Sequence, residues 1–211
     1  EYADTVIRTN NNAEQAIATD GYYIYTASWQ RAGEFSRYSI DNGYLETFII
    51  EGVGGIRNMT YGNGFFFATD NTNKIYKINM DSQRLEDVIT LNDPDLQIRY
   101  CAYSTAEDLL YIGNWTNLYK LVAYNTAYPT LIPLSYTMDN VYSVAYDEFS
   151  GATPCLWAFS QVSENNGPFA KIYKLNTNGV QVEGMVHYIN DASLASPSSL
   201  AGGICVSQYL Y

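Results

Sequence analysis

Apolar positions along the chain fall in short runs separated by Gly-, Asn- and Asp-rich turns, and no segment sustains the 3.6-residue period of an amphipathic helix. Four runs are nearly continuously apolar, at 23–29, 65–71, 109–115 and 155–161. A strand covered on both faces reads this way. Each is preceded by another β-rich run, at 14–19, 56–61, 98–103 and 141–146, with turn chemistry such as Asp20-Gly21 and Gly62-Asn63-Gly64 between them. Each is followed by a third run carrying one basic residue at a matching place: Arg37, Lys77, Lys120 and Lys174. A fourth run closes each unit, at 45–50, 85–91, 130–134 and 182–188.

The four apolar runs start 42, 44 and 46 residues apart. Four strands in a unit of that length match one blade of a propeller and exclude the helical repeats. The expected fold is therefore all-β, a single β-propeller domain over 1–211 with blades at about 14–50, 56–91, 98–134 and 141–188. On these units the chain resembles the wide β-propeller superfamily of NHL, YVTN and WD-type repeats, in the manner of its secreted bacterial members. The resemblance is architectural, since the units lack the Trp-Asp dipeptide, and it implies a fold rather than a reaction. Residues 200–211 repeat the first strand and turn of a fifth unit and stop inside its central strand. The expectation is four complete four-stranded blades plus part of a fifth, in a fragment of a longer chain, with 5–9 able to serve as a closing strand. The competing reading is a complete five-bladed ring with an abbreviated last blade.

Composition narrows the function. With 47% hydrophobic and 16% charged residues, and 21 Tyr in 211 positions, disordered, collagenous and coiled-coil classes are excluded. A net charge of −11 repels phosphate backbones and anionic leaflets, so nucleic acid is not an expected partner. No apolar run approaches the 18 residues of a membrane span, so no membrane insertion is expected. A glycan or a protein is the expected partner, and the acidic, Tyr- and Asn-rich surface suggests an extracellular, periplasmic or cell-surface location. Cys101, Cys155 and Cys205 are an odd number at no metal-ligand spacing and read as buried free thiols. The single histidine, His187, falls on an outer strand, away from the axis. No metal or cofactor is expected; Asn92-Asp93-Pro94-Asp95 is a faint calcium candidate.

Candidate chemistry gathers where the central strands end, at one mouth of the channel: Ser28-Trp29, Asp70-Asn71, Asn114-Trp115 and Ser160-Gln161. Trp29 and Trp115 beside amides suit a sugar, whose CH face stacks while its hydroxyls pair; alternatively both rings wedge between blades. The second residue of each innermost strand forms another ring: Gln15, Arg57, Arg99, Tyr142 and Gly202. Arg57 and Arg99 in adjacent blades can hold a carboxylate or sulfate bidentately. Alternatively each pairs with a connection carboxylate, among Glu51, Asp93, Asp95 and Asp139. The innermost strands carry no Asp or Glu at their centres, so no catalytic residue is named. The insertion 162–169 is either a recognition loop or an idle hairpin, and the glycosylation-type matches at Asn58 and Asn114 receive no role. The candidate ligand-binding set is Trp29, Arg57, Asp70, Asn71, Arg99, Asn114, Trp115, Tyr142 and Gln161. The function expected is a non-catalytic binding module for a glycan, anion or protein. The alternatives are a carbohydrate-active hydrolase or lyase with its carboxylates in blades outside this chain, and a scaffold domain of a surface protein.

Overall fold

The computed structural model describes residues 14–39, 41–135, 140–161, 170–189 and 202–206. The segment 5–9, the loop 162–169, Asp139 and most of 200–211 lie outside the described residues. Among the described residues, sixteen strands form four antiparallel sheets, each hydrogen-bonded in chain order. The first holds β1 (Glu14–Thr19), β2 (Ile24–Ser28), β3 (Glu34–Ser39) and β4 (Gly43–Ile49), and the second β5 (Asn58–Gly62), β6 (Phe65–Thr69), β7 (Lys74–Asn79) and β8 (Arg84–Thr90). The third holds β9 (Tyr100–Ser104), β10 (Leu109–Gly113), β11 (Leu118–Val122) and β12 (Thr130–Pro133), and the fourth β13 (Val141–Asp147), β14 (Cys155–Gln161), β15 (Ala170–Asn176) and β16 (Gln181–Ile189). The first strands pack in the succession β1, β5, β9, β13 about one axis. The described residues thus form the four blades of a propeller, the all-β fold expected from the repeats.

Continuous apolarity of the inner strands follows from burial on both sides. In β6, Phe66 packs toward the first blade with Tyr25 and Met59, whereas Phe67 packs toward the third with Cys101 and Leu110. Alternating side chains of one strand thus serve two interfaces, and both must be apolar. A third cluster, with Tyr111, Val144 and Leu156, joins blades three and four. Outer strands alternate because one side meets water: Ile49 of β4 is 71% exposed.

The recurring basic residue is a cation over a ring in, or for Tyr23 just before, the neighbouring strand. Arg37 lies over Tyr23, Lys77 over Phe65, Lys120 over Tyr111 and Lys174 over Trp157. Each such contact contributes about 0.5–1 kcal/mol at a partly wet site and fixes the blade's cross-strand register. The β5–β6 turn is as predicted: Asn63 and Gly64 have φ of 51° and 79°, the paired positive values of a type I′ hairpin.

At the hub, β5 satisfies the exposed edge of β9. Asn58 Oδ1 accepts from the Cys101 amide at 2.8 Å, and Thr60 Oγ1 from the Tyr103 amide at 3.2 Å. Asn58 Nδ2 also donates across the axis to Ser143 Oγ of β13 at 2.6 Å. Residues 202–206 run between β13 and β1: the Ile204 amide donates to Ser143 Oγ at 3.0 Å, and a Cβ on Gly203 would lie 2.8 Å from the Gln15 carbonyl. This is the innermost position a further unit would take, but these five residues form no strand.

Candidate functional site

Inner strands begin, and central strands end, at the same mouth. Backbone bonds between consecutive blades fix the meeting point: the Ile56 amide donates to the Ser28 carbonyl at 3.1 Å, and the Val141 amide to the Trp115 carbonyl at 3.4 Å. The residue after Ile56 is therefore delivered beside Trp29, and the residue after Val141 beside Trp115. Arg57 accordingly lies with its guanidinium 4.2 Å from the centre of the Trp29 ring. Its η nitrogen donates to Gln15 Oε1 at 3.2 Å.

Arg99 is enclosed further. Its guanidinium stands 3.7 Å from the Trp115 ring centre and 4.4 Å from that of Tyr142, and these two rings meet edge to face at 4.8 Å. Only 3% of Arg99 is exposed, and its Nε has no hydrogen-bond partner. Among the described residues no carboxylate forms an ion pair with Arg57 or Arg99. Burial lowers the proton affinity of both, and Arg99 is brought to about 10 by burial and then by the charge of Arg57. Both are cationic at neutral pH. The mouth thus confines two like charges whose one described side-chain acceptor is the neutral Gln15 Oε1; Gln15, itself 4% exposed, also has an unpartnered Nε2. An anionic oxygen is what satisfies such a set.

Of the nine expected ligand residues, Trp29, Arg57, Arg99, Trp115 and Tyr142 come together in this cluster. Asp70 is committed elsewhere, its Oδ1 accepting from the Thr72 amide and hydroxyl and its Oδ2 from Tyr76 at 2.7 Å. Asn114 likewise caps its own turn, accepting from the Thr116 and Asn117 amides. Asn71 sits at φ 70°, its amide bonded to the Ile98 carbonyl, and its buried Oδ1 has no partner. Gln161 is tied through its amide to the Asn140 carbonyl. His187 lies exposed on β16, its ring 5.8 Å from Trp157. Asp93 accepts from the Asp95 amide in an exposed turn.

Asn58, given no role from the sequence, is a structural tie at the hub. It is fully buried and bonds three blades together. The legible signal was an amide inside an otherwise apolar inner run, which burial obliges to find partners.

The overall shape is shared with known β-propellers. Glutaminyl cyclase from Myxococcus xanthus superposes with a TM-score of 0.50 at 15% identity, over 69% of this chain and 66% of that one. U3-55K matches with a TM-score of 0.54 at 12% identity, over 87% and 54%. Streptogramin B lyase matches with 0.51 at 15% identity, over 90% and 58%. The chain therefore spans between 54% and 66% of the length of these structures. No protein-family model matches the chain, and no curated protein sequence matches it. At these identities the likeness is one of fold, and by fold the chain is a β-propeller.

Proposed function

We propose that the chain is a binding module whose arginine mouth captures an anionic group, a carboxylate or sulfate carried by a glycan. The observation that supports this is Arg99: a cation 97% withdrawn from water (3% exposed) without a described carboxylate partner. Burying an unpaired charge costs several kcal/mol, and a fold tolerates it where a ligand completes the site. Trp29, 39% exposed, offers the stacking surface beside it. A carboxylate on the sugar bridges the two guanidinium groups while a ring CH face lies on the indole. The hydrolase or lyase reading needs a pair of carboxylates flanking one bond, supplied by blades outside this chain; within it Asp70, the one acid among the candidates, is held by Thr72 and Tyr76. The acidic, Tyr-rich composition supports placing the module outside the cytoplasm.

The test is binding to immobilised oligosaccharides that are neutral, uronate-bearing or sulfated, using wild type, Arg57→Met and Trp29→Ala. Retention of acidic but not neutral glycans, lost in Arg57→Met and weakened in Trp29→Ala, is the expected outcome. Equal retention of neutral and acidic glycans, or no retention at all, overturns the reading.

A further inference from the structure

We infer that the opposite mouth of the propeller is a second binding site, for a small organic cation of the alkylammonium class. Inner strands run from the arginine mouth to this one, and their ends with the following hairpins wall a pocket of about 260 Å³. All four blades contribute, as does the segment 204–206. Tyr61, Tyr146 and Phe149 supply aromatic surface, and Tyr61 and Phe149 are 38% and 45% exposed. The described lining residues include two carboxylates, Asp20 and Glu148, and no Lys or Arg. The Asp20 carboxylate is held in place by the amides of Tyr22 and Tyr23, at 2.8 and 2.7 Å. Burial raises the Tyr61 phenol, and Asp20 and Asp81 raise it further, so the aromatic wall stands in a negative field.

The occupant follows from this lining. Ring faces attract cations, most strongly those that shed water easily, and carboxylates at the rim add Coulomb attraction. An alkylammonium group meets both conditions. An inorganic divalent ion does not, since the described residues hold no cluster of three metal-ligating side chains. The Asn58–Ser143 bond, buried between the two mouths, separates this site from the arginine cluster. The two ends of the axis therefore carry opposite signs and take ligands independently.

Cys205 lines the pocket, whereas Cys101 and Cys155 are buried in the blades, so one thiol reports on the site. The experiment measures its modification in the full chain by two methanethiosulfonates, one bearing trimethylammonium and one bearing sulfonate, each normalised to a free thiol. Burial holds the thiol at about 11, which slows both reagents alike, so their ratio reads the field. The cationic reagent reacts at least about tenfold faster at low salt. Choline protects Cys205, and its uncharged isostere 3,3-dimethylbutanol does not. Asp20→Asn, which retains the turn acceptor, combined with Glu148→Gln brings the ratio to within about twofold. Calorimetric titration with choline is the companion measurement. Equal reagent rates, equal protection by the uncharged alcohol, or no heat at millimolar choline overturns the inference.

Discussion

Replacing Arg99 by Met removes the charge and keeps a side chain of similar reach between Trp115 and Tyr142. The ordinary guanidinium value lies above 12, and confinement brings Arg99 to about 10. At about 1.4 kcal/mol for each tenfold change, the folded state disfavours the charged form by about 3 kcal/mol. Stacking on two desolvated rings returns about 2 kcal/mol. Arg99 thus costs the unliganded fold about 1 kcal/mol net, and Arg99→Met is equally stable or more stable by about 1–2 kcal/mol, the latter a rise of about 2–8 °C in Tm for a domain of this size. Anion affinity moves the other way. Losing charge-assisted hydrogen bonds worth about 1.5–3 kcal/mol weakens binding by tenfold to more than a hundredfold. Urea unfolding followed by tryptophan fluorescence gives the first quantity, and calorimetric titration with a hexuronate gives the second. A loss of more than about 1 kcal/mol in stability makes Arg99 a structural brace and refutes the argument from its unpaired charge.

Other consequences are independent of the ligand. Asn58→Ala strands the Cys101 amide and removes the bond to Ser143, at a cost of about 2–4 kcal/mol; combined with Ser143→Ala the losses are less than additive by about 1 kcal/mol, and strict additivity in urea unfolding contradicts the hub bond. Gly62→Ala places a Cβ within the ring of Tyr103 and destabilises by about 3 kcal/mol, whereas Gly43→Ala, strained only by its φ of 69° with open space around it, loses about 1 kcal/mol; equal effects in thermal melts argue against the close contact. Folding raises the phenols of Tyr25 (to about 12), Tyr76, Tyr103 and Tyr111, so their contribution is whole up to about pH 10 and is lost as pH climbs through the folded values. The tyrosinate absorbance of these four phenols then appears as the last part of the titration and only with cooperative unfolding; completion of the titration with the fold intact contradicts this.

Blade structure was legible because each unit repeats its chemistry: apolar central runs, a positive-φ turn at Asn63-Gly64, and one basic residue that meets a ring in the neighbouring strand. The mouth was legible in part. Equivalent positions in the repeat brought Arg57 and Arg99 to one ring, and Trp29 and Trp115 to another, but spacing does not reveal that the two rings stack on each other. Asp70 and Asn114 looked like ligand groups because an Asp or Asn serves a turn with the same side-chain oxygen it offers a ligand. Only the placement of Thr72 and Tyr76 shows which partner Asp70 has taken. The opposite pocket was illegible for a different reason: its lining comes from strand ends and hairpins that recur at the blade spacing, but the residue types at those positions differ from blade to blade, as at Asp20, Gly62, Thr105 and Glu148.

The most direct measurement of the central claim is a crystal structure of the protein grown with a hexuronate. The expected result is the sugar carboxylate within hydrogen-bond distance of both the Arg57 and Arg99 guanidinium groups, with the sugar ring against Trp29. A structure in which each guanidinium is bonded to a carboxylate of the chain itself, with the sugar elsewhere or unbound, contradicts it.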